Sequence, residues 1–223
     1  MSAQANRPLA SSATPNQRAE AIVIPAPDLR EILFEIVGTT PYVQHKFAQK
    51  ARDEIRAKQE KGSAAKKGKA RDPKDFQECY RQSLHVSRDG WFGIPAPAFR
   101  AGCISACRII GFKMTIAKLS VFVIADTFDR VDGVPLVLIE GKPERTEMFV
   151  RNATGVADLR VRPMWREWSA KLRIQFDADQ MALADISNLL HRVGIQVGIG
   201  EGRPDSKNSC GMGWGTFSIS AKK

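Results

Sequence analysis

The sequence predicts an α+β domain, and three observations support that class. Residues 178–194 carry apolar side chains at helical spacing, residues 30–39 form an apolar run of strand length, and several segments between 118 and 177 alternate apolar and polar residues. A chain of 223 residues with 43% hydrophobic content is long and apolar enough to bury one substantial core.

The first elements follow in order from the N-terminal side. Residues 30–39 read REILFEIVGT and predict a strand that is apolar on nearly both faces. A basic helical stretch comes next, and residues 72–84 predict a second helix with Asp72 as its N-cap. Residues 97–110 then place their apolar side chains on one helical face, and Gly111 ends that helix.

The second half alternates strands with one clear helix. Strand patterns occur at 118–126, 134–141, 146–152, 158–165 and 169–177. Residues 178–194 predict a helix that Asp177 or Asp179 caps, and residues 214–220 predict a final strand. Without the basic insertion and an extra β-hairpin, the order is β-α-β-β-α-β, which is the ferredoxin-like split βαβ pattern.

Positive charge is concentrated in one segment. The formal net charge is +10, and residues 46–74 contain eleven Lys or Arg against four Asp or Glu, a net of +7. Its densest part is Lys66, Lys67, Lys69 and Arg71. This segment is either an arm that follows a sugar-phosphate backbone or a solvated charged loop.

Two predicted strands add a basic face. Arg160 and Arg162 alternate with apolar residues in 158–165, and Arg173 alternates with apolar residues in 169–177. A sheet with one cationic face is either solvated or a platform for nucleic acid.

A glycine-rich loop follows the last predicted helix. Seven glycines lie within residues 194–215, and consecutive amides in such a loop can form a nest that holds phosphate. Gly200, Gly202, Arg203 and Lys207 are therefore candidate contacts, and the alternative is a plain hairpin connection. Trp214, in the same loop, is either a stacking platform for a base or a lid on the core.

Two further observations bear on the family of the chain. Residues 93–102 read GIPAPAFRAG, an Ile-Pro step that enters a helix whose first turn carries Arg100. The second motif is the glycine-rich loop before the last strand. Together these two motifs resemble the RAMP superfamily, the RNA-binding proteins of CRISPR effector complexes. Backbone subunits of that superfamily carry an Ile-Pro-Gly-Ser-Ser-Leu-Lys-Gly step and a late glycine-rich loop; here residues 96–98 replace the Gly-Ser-Ser portion.

The resemblance covers roughly residues 30–220 and extends to a group of uncharacterised phage and prophage proteins. That group shares the step at Thr40, Pro41, Tyr42 and His45, an ADLR segment and a VGIGEGRP end. The resemblance implies a ferredoxin-like fold, nucleic-acid binding with Arg100 among the contacts, and side-by-side assembly into a homo-oligomer or filament.

The sequence also predicts the organisation of the chain. We expect a flexible N-terminal arm at 1–28 and a single domain at 29–223 with a basic insertion at 46–88. No apolar segment has the length of a signal core or a membrane span, so we expect a cytoplasmic protein without a membrane partner. Four cysteines without a C-x-x-C pair predict a reducing compartment, and we expect no metal and no cofactor.

We therefore predict sequence-tolerant binding of single-stranded nucleic acid, with RNA favoured over DNA, by an oligomer-forming subunit. One alternative is a metal-independent ribonuclease in which His45 is the general base. Another alternative is a phage assembly or virion-accessory protein. The candidate contacts are Lys66, Lys67, Lys69, Arg71, Arg100, Arg160, Arg162, Arg173, Gly200, Gly202, Arg203, Lys207 and Trp214.

Overall fold

The protein is an α+β protein with antiparallel sheets, which confirms the predicted class. The structure, a computed structural model, describes residues 24–46, 52, 53, 56, 75–151, 157–206 and 211–220. The strands are β1 (Leu29–Gly38), β2 (Tyr42–Val43), β3 (Gly93–Pro95), β4 (Val121–Ile124), β5 (Thr127–Phe128), β6 (Pro135–Leu138), β7 (Pro143–Arg151), β8 (Ala157–Trp165), β9 (Ser169–Asp177) and β10 (Phe217–Ile219). The helices are α1 (Phe76–Gln82), α2 (Ala96–Ile109), α3 (Met114–Ser120) and α4 (Leu183–Arg192), and α4 continues into a π-helical turn at Val193–Val197. Within the described ranges, no helix has both the length and the apolar character needed to cross a membrane.

A central sheet with the strand order β10-β1-β9-β4 organises the core. Each pair of neighbours is antiparallel, and along the chain these strands alternate with α2 and α4 as β1, α2, β4, β9, α4, β10. Alternate residues of β1 and β9, such as Ile36 and Leu172, are fully buried in one cluster with Phe99 of α2 and Leu190 of α4. The two helices therefore cover one face of this sheet.

Two smaller sheets extend the domain. One has the order β3-β6-β5 and contributes Ile94, Leu136 and Val137 to the buried residues. The other has the order β2-β8-β7, and here Tyr42 of β2 pairs with Trp165 of β8. This second small sheet carries the basic strand β8, so it positions most of the site described below.

The segment 118–126 differs from its prediction as one strand. Residues 118–120 belong to the helix α3, and the strand begins only at Val121. Arg100 of α2 explains the difference, because its guanidinium donates to the carbonyls of Lys118 and Val121 at the end of α3. These carbonyls lack partners within a helix, so a tertiary contact stabilises a helix end that the local pattern does not show.

Two helix starts also differ from their predictions. The helix α4 begins after Ala182, and the carboxylate of Asp185 accepts the Ala182 amide at 3.0 Å, so Asp177 and Asp179 are not its caps. Asp75 caps α1 by accepting the amides of Gln77 and Glu78. Asp72, the predicted cap, lies outside the described residues.

Candidate nucleic-acid interface

The segment 42–46 lies beside β8 and separates two clusters of polar side chains. Its pairing with β8 continues past β2, because the Gln44 amide donates to the Pro163 carbonyl at 3.1 Å. On one side, Gln44 and Lys46 are buried and bond to residues of 85–93 and to Asp129. On the other side, His45 lies within electrostatic range of Arg162 and Glu201. Alternation along this segment therefore divides a basic surface from a buried ionic cluster.

The basic surface is built on the face of β8 that carries Arg160 and Arg162. The carboxylate of Glu201, in the glycine-rich loop, bridges both guanidiniums: Arg160 Nη1 lies 3.1 Å from Oε1 and Arg162 Nε lies 2.7 Å from Oε2. The side chains of Arg162 and Glu201 are 11% and 20% exposed. Glu201 was not among the predicted contacts, although it is the acidic residue of the VGIGEGRP segment.

His45 is exposed at the edge of this surface. Loss of solvation is the largest cause that lowers the pKa of His45, and the positive charge of Arg162 lowers it further, whereas the charge of Glu201 partly offsets both. A pKa below the ordinary value near 6.5 keeps the imidazole neutral at pH 7. A neutral imidazole beside two guanidiniums can accept or donate a hydrogen bond to a bound ligand.

Trp214 and Arg203 complete the surface from the glycine-rich loop. Trp214 is half-buried and packs against a small apolar cluster of Val43, Met148 and Met164. Gly202 lies against its ring, where an added Cβ would be 2.7 Å from Trp214 Cε3. Trp214 is therefore anchored on a satellite cluster outside the main core, and part of the ring remains exposed.

Several amides of the described loop donate within the protein and so are not available to the predicted nest, whereas a phosphate contact at Gly200 and Gly202 stays a prediction. These bonds run from Gly198 to Val193, Ile199 to Gly215, Glu201 to Val43, Asp205 to Val197, Met212 and Trp214 to Gly202, and Gly215 to Pro41. Buried amides need such partners, and close packing supplies them here. Gly200 and Gly202 serve this packing: a Cβ on Gly200 would be 2.6 Å from the Tyr42 ring. Arg203 Nη1 donates to the Gly200 carbonyl at 3.2 Å.

The motif at residues 40–45 anchors the same loop. The Thr40 and Thr216 hydroxyls lie 2.8 Å apart, and the Pro41 carbonyl accepts the Gly215 amide at 2.8 Å. Tyr42 is buried beside Trp165 and Trp168. In this motif, Thr40, Pro41 and Tyr42 therefore have structural roles, and His45 alone belongs to the basic surface.

Two predicted contacts, Arg100 of α2 and Arg173 of β9, lie away from β8 and the glycine-rich loop. Arg100 binds the end of α3 and stacks on Phe122, with its Cζ 5.1 Å from the ring centroid. Arg173 donates to the Ala125 carbonyl and to Asp126 at 3.1 and 3.2 Å. Both lie at the β4 edge of the central sheet, whereas the glycine-rich loop leads into β10 at the opposite edge.

Five predicted contacts lie outside the described residues. They are Lys66, Lys67, Lys69, Arg71 and Lys207. Residues 1–23 of the predicted arm and most of 47–74 in the predicted insertion lie outside them as well. The predicted residues that the structure does place on the basic surface are therefore Arg160, Arg162, Arg203, Trp214 and His45.

The second cluster is a buried ionic network that the sequence did not indicate. Lys46 Nζ lies 2.7 Å from both carboxylate oxygens of Asp129 and 3.7 Å from Asp132, which also pairs with Arg52 at 2.6 Å. His85 Nδ1 lies 2.9 Å from the Asp129 carboxylate. Asp129 and Asp132 lie in a turn that the sequence shows, but Lys46 is 83 residues away from Asp129.

This network is balanced in charge. His85, Asp129 and Asp132 place ligand atoms within 4.8 Å of one another, but the ammonium of Lys46 already lies against both oxygens of Asp129. A cavity of about 290 Å³ opens beside Lys46 and Arg52, and each of these cations has a carboxylate partner. On β8, the Arg160 and Arg162 guanidiniums share the Glu201 carboxylate, and Arg160 also lies 3.6 Å from the Asp158 carboxylate.

No protein-family model matches this chain, and no curated protein matches its sequence. Function is therefore argued from the residues of the site, since a fold by itself supports many functions.

Proposed function

We propose that the protein binds single-stranded nucleic acid at a surface that we call the β8–loop surface. The observation that carries this proposal is that two guanidiniums on one strand face share one carboxylate. Two guanidiniums placed in this way bind the two oxygens of one anion. A phosphate group offers oxygens that arginine binds well. The surface consists of His45, Arg160, Arg162, Glu201, Arg203 and Trp214.

The composition of the surface suits a flexible anionic strand. Arg160, Arg162 and Arg203 supply positive charge for phosphates, and the exposed part of Trp214 offers a face on which a base can stack. Contacts to phosphate carry no sequence information, and stacking tolerates any base. We therefore expect binding across many sequences. The net charge of +10 favours approach of any polyanion.

We further propose that the core is ferredoxin-like and of the RAMP type, which favours RNA over DNA. The strand order supports this proposal, because the first strand of the central sheet lies between the fourth and the third, with α2 and α4 as the two connections. Side-by-side assembly into a homo-oligomer belongs to the same proposal, and sizing the purified protein with and without oligonucleotide tests it.

Ribonuclease activity is a second candidate function, which the environment of His45 favours. An imidazole held neutral beside two guanidiniums suits a general base that acts next to a bound phosphate. We expect His45→Ala to abolish cleavage while binding persists through Arg160 and Arg162. If wild-type protein leaves labelled RNA intact, this candidate is rejected and the binding proposal stands.

Fluorescence anisotropy with labelled single-stranded RNA and DNA tests the binding proposal. The Arg160→Gln/Arg162→Gln double variant should lose at least about tenfold in affinity for all sequences, since bonds to charged groups contribute about 1.5–3 kcal/mol each. A thermal melt of the same sample shows whether the double variant is folded.

Arg145→Gln is the matched control. Arg145 pairs with Pro163 in the β7–β8 register, whereas Arg162 pairs with Thr146, so the two arginines lie on opposite faces of one sheet. Arg145 is also bonded to a glutamate, Glu147, at 2.7 Å. The control should stay within about twofold of wild type, a change below 0.5 kcal/mol. Equal affinities of a folded double variant and wild type would refute the proposal.

A further inference from the structure

We propose that the Glu201 carboxylate occupies a phosphate site, and that a phosphodiester of the bound strand displaces it from Arg160 and Arg162. The inference rests on the proposed function and assigns one phosphate subsite within the β8–loop surface. Glu201 is then an internal competitor that the nucleic acid must replace.

The geometry of the Glu201 bonds points to this subsite. Each carboxylate oxygen accepts from a different guanidinium, Oε1 from Arg160 Nη1 at 3.1 Å and Oε2 from Arg162 Nε at 2.7 Å. The two non-bridging oxygens of a phosphodiester form a similar two-oxygen anion, and each oxygen can accept a charge-assisted bond from one guanidinium. A phosphate can therefore replace the carboxylate without any movement of β8.

The backbone of the loop holds Glu201 in place while leaving its side chain able to move. Gly200 and Gly202 flank it at φ values of 80° and 77°, and the Glu201 amide donates to the Val43 carbonyl at 2.9 Å. The Glu201 side chain is 20% exposed, so a path to solvent exists. Rotation of this one side chain breaks both of its bonds to the guanidiniums. Arg160 then keeps its longer contact with the Asp158 carboxylate, at 3.6 Å, and Arg162 keeps its bond to the Val161 carbonyl, at 3.0 Å.

Because the Glu201 carboxylate covers Arg162, its charge should affect the measured affinity for nucleic acid. Arg162 is 11% exposed beneath the carboxylate, and one negative charge opposes the approach of a polyanion. Removing that charge takes away this repulsion without deleting any of the cations. Affinity should therefore rise in a variant that lacks the carboxylate, which is the opposite of what a merely structural glutamate predicts.

Glu201→Gln tests the inference because it keeps the size of the side chain and removes its charge. With labelled oligouridylate as the probe, we expect affinity to rise about five- to tenfold over wild type. Glu147→Gln is the matched control, since Glu147 pairs with Arg145 at 2.7 Å on the opposite face of the same sheet, and it should change affinity less than twofold. Glu201→Ala serves as a second variant if the glutamine variant does not fold.

A second readout does not depend on affinity. Glu201 raises the pKa of His45, so an NMR titration of His45 should show a lower pKa in Glu201→Gln than in wild type. Adding oligouridylate to the variant should raise that pKa again, because a phosphate brings negative charge back to the same place.

The outcomes separate the two proposals. If the Arg160→Gln/Arg162→Gln variant loses binding while Glu201→Gln binds no better than Glu147→Gln, the displacement inference is overturned and the proposed function stands. If wild type and the arginine double variant bind equally, the proposed function fails and the inference fails with it. Tighter binding by Glu201→Gln together with a need for the arginines supports both.

Discussion

Lys46 and Asp129 form a buried ion pair in which the ammonium lies 2.7 Å from both carboxylate oxygens. The Asp129 side chain is fully buried, and Lys46 is 7% exposed. The pair joins the start of the basic segment to the turn between β5 and β6. Of the two residues before Lys46, Gln44 bonds to His85 and Gly93, and His45 lies within electrostatic range of Arg162 and Glu201. The buried cluster and the β8–loop surface are therefore held by one short segment.

The first prediction concerns the stability that this pair provides. Asp129→Asn leaves the buried Lys46 ammonium with only its longer contact to Asp132, at 3.7 Å, and Asp132 is shared with Arg52. We therefore expect a loss of up to about 3–5 kcal/mol in the free energy of unfolding. Urea titration measures it. Glu144→Gln, which breaks the exposed pair with Arg166, is the control and should cost at most about 1 kcal/mol. Similar losses in the two variants would contradict this account of the pair.

The second prediction concerns the stability of the protein at acidic pH. Burial alone would raise the pKa of Asp129, but hydrogen bonds from Lys46, the Val131 amide and His85 outweigh it and hold this pKa well below its usual range. A carboxyl whose folded pKa is depressed stabilises the protein above its unfolded pKa of about 3.9, and this contribution is lost as the pH falls further. The free energy of unfolding should therefore drop below about pH 4, and Asp129→Asn should flatten the drop. If the free energy of unfolding fell as steeply in Asp129→Asn as in wild type, this role of Asp129 would be contradicted.

The third prediction concerns the range just below neutral pH. Burial lowers the pKa of His85, and the hydrogen bond to Asp129 offsets only part of this effect. Below about pH 6.5 the unfolded chain therefore takes up a proton more readily than the folded protein, so stability should fall as the pH is lowered. Urea titrations between pH 7 and about pH 5 measure this slope. Stability that stays constant over this range in wild type would contradict the prediction.

The fourth prediction compares the loss of stability caused by alanine at two glycines of the loop. Gly213 and Gly215 both have positive φ, at 74° and 69°. A Cβ on Gly213 would meet nothing within 4 Å, whereas one on Gly215 would overlap the Ile199 carbonyl. Gly213→Ala should cost only the backbone strain of about 1–2 kcal/mol, and Gly215→Ala should cost more or prevent folding. Equal melting temperatures for the two variants would show that the loop is not packed as described.

The fifth prediction separates packing from stacking at Trp214. Trp214→Leu keeps an apolar side chain on the cluster of Val43, Met148 and Met164 and removes the aromatic face. Affinity for single-stranded nucleic acid should fall by about 1–3 kcal/mol, the usual contribution of one stacked base. A melt of the same sample measures the packing contribution. A lower melting temperature with unchanged affinity would mean that Trp214 only covers the cluster.

Periodic patterns predicted much of the fold from the sequence. The helix predicted after Pro97 forms, Phe99, Cys103, Ala106 and Cys107 are buried on its inner face, and the chain turns at Gly111 with a φ of 69°. The strand β1 and the helix α4 also form at the predicted places. These elements depend on the spacing of apolar residues within a short window, which a sequence displays directly.

The site was less accessible to sequence reasoning because its contacts are distant along the chain. The glycines suggested amides available to phosphate, but those of Glu201 and Gly215 donate to Val43 and Pro41, more than 150 residues earlier. Arg100 suggested a phosphate contact, and nothing in its local pattern indicated that it binds the end of α3. Spacing shows which donors a segment carries, but only the folded chain shows which acceptors reach them.

The salt dependence of binding tests the central claim most directly, because it counts the phosphates that the cations neutralise. For single strands the slope of log affinity against log salt is about −0.7 per neutralised phosphate. Because Arg160 and Arg162 bind one phosphate between them in this account, the slope for Arg160→Gln/Arg162→Gln should be smaller in magnitude than that of wild type by about 0.7, and that of Arg145→Gln should be unchanged. A double variant with the same slope and affinity as wild type would contradict the claim that the β8–loop surface binds the strand.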